Sequence, residues 1–434
     1  MTLNAFQQWL DNYLNFEKTQ TKNIFWLDSM RFLCSSMGNP QDSIKCIHTA
    51  GSKGKGSVSA MIASIFEEAG FKCGIYTSPH ITDFRERITS PQGFFPDEVY
   101  EKSADELTKT VDSIPLKELP GERPLTWFEL VTLYAFLCFK NAGCNFVVYE
   151  TGLGGRLDST NVVNPILSVL MPIELEHTEF LGNTISKIAS EKAGIIKNNV
   201  PCLVSFQNYP DAENVFIKKA GEMKSRITFS KDSVSDLNYK ICEDNQNLSF
   251  TLFGKEKYST HLKLFGKVQA QNAATAALAV RLAEPEITKE AIESGLSKAF
   301  LPGRFELCEK NKIRVILDGA HTVKSIQNTL DTVRLMYQKR NIHLLFACAG
   351  DKDIKDIIPM FKGCFTSITL TKPATVRNCQ PETALKICRE NQIECSLQEN
   401  LSEAFSNLIS TVKKDDIILV TGSFYLVSEI KSML

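Results

Sequence analysis

The chain has 434 residues, 43% of them hydrophobic and 23% charged, which is more than one hydrophobic core holds and points to two or three globular domains. Lys and Arg number 49 against 50 Asp and Glu, so a net charge of −1 offers no field for nucleic acid or an anionic membrane. The longest apolar stretch, 130–139, is too short to span a bilayer, no apolar segment near Asp11 and Glu17 reads as a secretory leader, and thirteen Cys without a CxxC pair suit free thiols in a reducing cytosol.

In chain order, apolar β-like runs at 46–49, 73–77, 145–150, 166–171 and 201–206 alternate with helical patterns at 57–69, 126–140 and 184–194. This alternation predicts an α/β domain with a mainly parallel sheet. The polar segment 230–262 reads as a small antiparallel excursion, and the alanines and leucines of 271–283 as a helix. Phe300-Leu-Pro-Gly-Arg304 punctuates the chain, which places the domain boundary between 299 and 300. A second βα series follows, with strands at 314–318, 342–349, 367–370 and 416–421 and a helix at 382–390.

The densest chemical signal is His48-Thr-Ala-Gly-Ser-Lys-Gly-Lys-Gly-Ser57. Between a predicted strand and a predicted helix, its glycines let backbone N–H groups converge on an anion. Lys55 adds a charge, and the helix adds its N-terminal dipole. The match to a strict phosphate loop is imperfect: Thr49 stands at the first glycine position, and Gly56 separates Lys55 from the hydroxyl of Ser57.

Three further polar clusters end successive strands: Tyr76–His80, Glu150–Asp158 and Glu174–His177. Ligands of open α/β sheets gather beyond such strand ends, and the oxygen-rich set suits Mg²⁺. Glu150, directly after the apolar 146–149 run, is the best ligand candidate, and Gly152–Gly155 permits tight backbone beside the ion. Gly194 reads as a helix stop. The spacing by itself makes Lys192 a cation near that helix C-terminus. Ile316–Thr322 and Ala347–Ile354 are polar strand exits of the second half. Arg304, after its Pro-Gly turn, is either a surface arginine at a linker or a cation that reaches a γ-phosphate across a domain cleft.

Taken together, Gly51–Ser57, Tyr76–His80, Glu150–Asp158, His177–Gly182, Ile188–Ile195, Pro302–Arg304, Asp318–His321 and Asp351–Asp353 resemble, in order and nearly end to end, the folylpolyglutamate synthase/dihydrofolate synthase family of the Mur ligase superfamily. The resemblance implies an N-terminal P-loop-type ATPase domain (1–299) and a smaller C-terminal Rossmann-like domain (300–434), with the site between them. It implies ligation of L-glutamate to the γ-carboxylate of a folate through an acyl phosphate, with dihydropteroate as a further substrate. Gly51, Ser52, Lys53, Gly54, Lys55, Gly56, Ser57, Asn272, Arg304 and Asp318 then match ATP-binding positions. Ser78 and Glu150 match ligands of one Mg²⁺, and His177 matches a ligand of a second. Lys192 matches a lysine that carries a carbamate in the family, in contrast to its reading from spacing. Lys55, Lys192 and His321 become the catalytic candidates. Thr126, Phe128, Glu129 and Ser423 are candidates for contact with folate or glutamate. A cytoplasmic monomer is implied. Ser52-Lys53 replaces the usual Thr-Asn, Thr322-Val323 the frequent Asn-Pro, Glu176 a frequent Asp and Val268 a usual His. Asp28-Ser-Met30 lacks an Arg common in that stretch, which bears on the dihydropteroate activity more than on the ligation. Two other readings remain at this stage: another Mur-type amino-acid ligase, such as one acting on a cell-wall precursor, or a nucleotide-binding relative without catalysis.

Overall fold

A computed structural model describes residues 1–15, 26–349, 353–373 and 379–434. Strands β1 (Lys45–Ala50), β2 (Cys73–Tyr76), β3 (Ile88–Thr89), β4 (Phe146–Glu150), β5 (Leu167–Leu170), β6 (Cys202–Val204) and β7 (Ile227–Phe229) form one sheet in the order β3-β2-β4-β1-β5-β6-β7. Its pairings are parallel except for β2 with β3. The inner strands are buried almost without interruption because both faces are covered.

Side chains alternate across that sheet. Ile47, Val148, Leu167 and Val169 pack with Met61, Ile62, Ile65 and Phe66 of helix Lys55–Glu68 and with the alanines of helix Lys267–Ala283. Cys46, Val147 and Tyr149 face the other way, into a layer built on Leu130, Tyr134 and Phe136 of helix Trp127–Asn141. Gly295, in helix Lys289–Lys298, has no room for a side chain, since a Cβ there would lie 2.4 Å from Ile65 Cα.

Strands β8 (Val234–Ile241), β9 (Gln246–Leu252) and β10 (Glu256–Leu262) make a separate antiparallel sheet in the order β10-β9-β8. The antiparallel excursion predicted over 230–262 is therefore present, although Ser230–Ser233 forms a helical turn and the strands begin at Val234. Leu248, Phe250, Leu252 and Tyr258 turn inward to the first core.

After residues 299–305 the chain enters a six-stranded sheet of order β11-β12-β16-β13-β14-β15 among the described residues. Its strands are β11 (Glu306–Lys310), β12 (Ile313–Asp318), β13 (Ile342–Phe346), β14 (Ser367–Lys372), β15 (Ser396–Asn400) and β16 (Ile417–Thr421), parallel except for the β11–β12 hairpin. In register, Asp318 lies beside Thr421, and Thr421 beside Phe346, so loops 319–322, 347–349 and 422–423 leave the same edge.

Helix Ile185–Ala193 ends at Gly194, as the sequence predicts, but its φ is −61°, so the stop is not a left-handed one. Glycine is needed for close approach: a Cβ would lie 2.4 Å from Arg156 Cα. Nine of the thirteen cysteines are buried and four half-buried, all of them free thiols. Burial pushes the thiols of Cys34, Cys46, Cys138 and Cys144 up to about 12. Among the described residues, no helix is long and apolar enough to cross a membrane.

Candidate active site

β1, β2, β4 and β5 end at one edge, and the loops leaving them bring the predicted clusters together. The loop after β1 turns into helix Lys55–Glu68 at Gly54, whose φ of +83° is left-handed. A Cβ at Gly54 would meet Asn272 Oδ1 at 3.0 Å, so the buried Asn272 packs directly on the loop. Asn272 Nδ2 donates to Gln269 Oε1 (3.0 Å), and Gln269 Nε2 donates to Ser57 Oγ (3.3 Å). The amides of Ser52 and Lys53 both donate to Pro172 O, at 2.9 and 3.3 Å. The amides left open to an anion are those of the first helical turn, Lys55, Gly56 and Ser57, which have no carbonyl one turn back to bond. Lys55 Nζ donates to Gly51 O (2.9 Å) and lies 3.9 Å from Glu150 Oε1.

Glu150 is 5% exposed at the end of β4 and accepts from the Ser78 amide at 3.4 Å. Burial raises its pKa, opposed by Lys55 and Arg304, so the carboxylate gains from any further cation. Ser78 is joined to Pro79 by a cis peptide.

Glu176, which carried no assignment from sequence, is the hub of the second cluster. Lys192 Nζ lies 3.1 Å from Glu176 Oε1 and donates to Gly51 O (2.8 Å), while Lys53 Nζ lies 3.7 Å from Glu176 Oε2. Lys192 is 2% exposed. It projects from helix Ile185–Ala193 into the base of the phosphate loop, unlike a solvated cation at a helix end. Burial, then the nearby Lys55, pulls its ammonium down to about 8. Neighbouring Glu174 accepts from Ser52 Oγ through its carbonyl (3.2 Å) and pairs with Lys324 across the cleft (2.8 Å). His177 adjoins Glu176 but is exposed, with a left-handed φ of 47°.

The other wall comes from the linker and the second sheet. Arg304 lies over the Phe424 ring at 4.6 Å, and both Asp318 and Glu150 bear on its charge. Burial pushes the Asp318 carboxyl up to about 6 against the pull of Arg304. His321 Nδ1 lies 2.8 Å from Gly319 O; a carbonyl only accepts, so Nδ1 carries the proton. Ser423 caps helix Phe424–Lys431 by accepting from the Tyr425 amide (3.1 Å).

Thr126, Phe128 and Glu129 lie at the start of helix Trp127–Asn141, Thr126 as its cap. Thr126 and Glu129 form a capping box, and Glu129 also pairs with Arg123, so its carboxylate is already occupied. Phe128 touches the glutamate-bearing loop: a Cβ on Gly152 would lie 2.4 Å from its Cζ. Gly152 and Gly155 therefore serve close packing, the latter with a Cβ position 2.9 Å from Lys192 O, while Gly154 takes a left-handed φ of +70°. Of the 347–354 strand exit, Gly350, Asp351 and Lys352 lie outside the described residues.

The described residues hold no group of three or more His, Cys, Asp or Glu that could bind a metal unaided. The donors present fit Mg²⁺ in another way, as an ion held by one or two protein oxygens and completed by phosphate and water.

The Mur ligase middle domain matches residues 49–280, and the Mur ligase glutamate ligase domain matches residues 303–424. The chain is 32% identical to the dihydrofolate synthase/folylpolyglutamate synthase of Bacillus subtilis over 94% of either chain. A folylpolyglutamate synthase of Mycobacterium tuberculosis complexed with ADP superposes with a TM-score of 0.89 at 25% identity, covering 99% of this chain and 98% of that one. An Escherichia coli relative solved with DHPP and ADP gives 0.82 at 25% identity, over 100% and 97%. By these matches the chain belongs to the folylpolyglutamate synthase/dihydrofolate synthase family of Mur ligases, which use ATP to join L-glutamate to folates through a new C–N bond.

Proposed function

We propose that residues 1–299 bind ATP, that residues 300–434 bring in L-glutamate, and that the cleft between them extends the γ-carboxylate of a tetrahydrofolate. The observation that carries this reading is the ring of Lys53, Lys55, Lys192 and Arg304 around Glu150 and Glu176 at the end of a phosphate cradle. Such a ring suits the meeting of two anions, a triphosphate and a carboxylate.

A carboxylate is a poor acyl donor. Transfer of the γ-phosphoryl group to its oxygen creates a leaving group. The glutamate amine then attacks the acyl carbon, and inorganic phosphate departs with the former carboxylate oxygen. In this scheme the amides of 55–57 orient the β- and γ-phosphates, and Lys55 and Arg304 neutralise charge on the transferring group. Asn272 and Asp318 hold the nucleotide from either side. His321, with its Nδ1 proton fixed on Gly319 O, presents Nε2 as an acceptor for the incoming amine. Ser423 supplies its hydroxyl proton to the glutamate, and Thr126 and Phe128 border the folate.

Glu150 and Ser78 would hold one Mg²⁺, with His177 and Lys192 beside a second. When bound, Mg²⁺ supplies positive charge to the phosphate oxygens. Lys192 would serve the second site as a carbamate, formed from a neutral amine and CO₂. Burial and the nearby Lys55 and Lys53 favour the neutral amine, and those two cations would also favour the carbamate anion left once the amine has bonded CO₂ and released a proton. The enzyme is assigned to the cytoplasm as a monomer.

Phosphate release from Mg-ATP and L-glutamate, measured separately with tetrahydrofolate and with dihydropteroate, tests the assignment. Release with tetrahydrofolate supports it, and release with both adds dihydrofolate synthesis. Silence with both, in folded protein that binds ATP, would redirect the search to other Mur-type acceptors.

A further inference from the structure

Arg304 is aimed by an unusual turn. Gly303 has φ +64° and Phe305 has φ +52°. An aromatic residue in the left-handed region is strained and persists only when its surroundings over-determine it. Phe305 is 4% exposed and packs on Phe265 at a ring separation of 5.5 Å. Two hydrogen bonds pin the turn. The Gly319 amide donates to Gly303 O at 2.9 Å. The Gly303 amide donates to Glu306 Oε2 at 2.9 Å. A Cβ on Gly303 would strike Ile81 Cδ1 at 2.6 Å and Val427 Cγ1 at 3.2 Å, so the turn is wedged between the two halves of the molecule.

Glu306 is held in turn. Lys431 Nζ lies 2.8 Å from its Oε1 and 3.0 Å from its Oε2, with the glutamate side chain 10% exposed. Lys431 is the last residue of helix Phe424–Lys431, and the first, Phe424, lies under the Arg304 guanidinium. One short helix therefore grips the arginine at both levels: its ring supports the charged head, and its terminal lysine secures the backbone through Glu306.

We infer that Glu306 and Lys431 are positioning residues that set the aim of Arg304 at the triphosphate. The inference rests on the reading of Arg304 as a nucleotide contact. An ordinary surface pair of this kind would contribute little. This one acts through a strained turn, where a displacement of about 1 Å is worth on the order of 10²-fold in rate.

The test is a double-mutant cycle read by calorimetric binding of AMPPCP and by steady-state kinetics. Lys431→Met should weaken AMPPCP and lower kcat/KM for ATP, each by about tenfold, while KM for L-glutamate stays unchanged and Lys431→Arg restores both. Arg304→Ala should weaken AMPPCP at least as much. The double variant Arg304→Ala/Lys431→Met should then bind like Arg304→Ala alone, and Glu306→Ala should repeat the pattern. Losses that multiply in the double variant, or wild-type binding by Lys431→Met, would overturn the clamp while leaving Arg304 in place. Wild-type binding by Arg304→Ala would instead remove the reading of Arg304, and the clamp with it.

Discussion

On the N-terminal wall of the cleft, Lys53, Lys55 and Lys192 crowd around Glu150 and Glu176, held by strand ends and by the carbonyl of Gly51. On the C-terminal wall, Arg304 and Asp318 are positioned by a strained turn and its backbone hydrogen bonds. The first wall balances its charges against one another before any ligand arrives. The second depends on chain geometry. Electrostatic preorganisation thus has two sources here, one in side-chain pairing and the other in backbone conformation.

The largest separation between the walls should come from charge removal. Lys55→Ala is expected to lower phosphate release by about 10²- to 10³-fold. A thermal melt should show the variant still folded, because the lysine is not a core residue. Full activity would shift the chemistry away from this wall.

Backbone substitutions should reverse the ranking. Gly54→Ala and Gly303→Ala each place a Cβ at positive φ, at about 1 kcal/mol for the conformation alone. At Gly54 the new atom meets Asn272 Oδ1 at 3.0 Å and Met171 Cε at 3.1 Å, both at side-chain ends. At Gly303 it meets Ile81 Cδ1 at 2.6 Å. Urea midpoints should fall further for Gly303→Ala; an equal fall would remove the distinction between the walls.

Acid should act on the C-terminal wall next. Asp318 titrates at about 6, so its carboxylate is present above that pH and lost below it. ATP affinity should drop by about tenfold as pH falls from 7 to 5, as each pH unit below the pKa removes most of the remaining carboxylate. Asp318→Asn should be flat over that range. The sign for stability is opposite. A carboxyl whose folded pKa exceeds its unfolded value takes up its proton earlier when folded, so its contribution to stability improves as pH falls from above 6 towards 4.

The smallest effect concerns His48, fully buried behind the phosphate loop. Its Nε2 donates to Thr160 Oγ1 (2.8 Å), which donates to Asp158, and burial holds its pKa well below 6.5. Below pH 6.5 the unfolded chain takes up a proton that the folded chain refuses. Stability should therefore decline by up to about 1.4 kcal/mol per pH unit down to the folded pKa. His48→Gln should lose that slope in urea titrations at pH 7.5 and 5.5.

The N-terminal wall was the more legible of the two in sequence. Gly51–Ser57 and Glu150 are short motifs at the ends of apolar strands, and their period and punctuation survive in the letters. What sequence missed acts over long separations. Glu176 meets Lys192 from 16 residues away, and Glu306 meets Lys431 from 125. Neither pairing leaves a periodic signal. The antiparallel sheet was legible only as a polar, weakly patterned stretch over 230–262, between two series of apolar runs. β15, a polar Ser-Leu-Gln-Glu-Asn edge strand, was not, because the sheet specifies it through backbone pairing and not through apolar burial. Gly194 shows the same limit: the helix stop is legible in the letter, but the need for glycine there comes from the approach of Arg156.

The distribution of sulfur has a practical consequence. Cys242, Cys308, Cys364 and Cys395 are half-buried, and the other nine thiols are sealed in the interior. A thiol-reactive dye should label the native chain at the first group promptly and at the second only as segments open. Peptide mapping would then time the opening of each layer separately: Cys73 and Cys144 for the first sheet, Cys348 and Cys388 for the second. The protein thus carries its own set of clocks for the order in which its two halves come apart, with no label introduced by mutation.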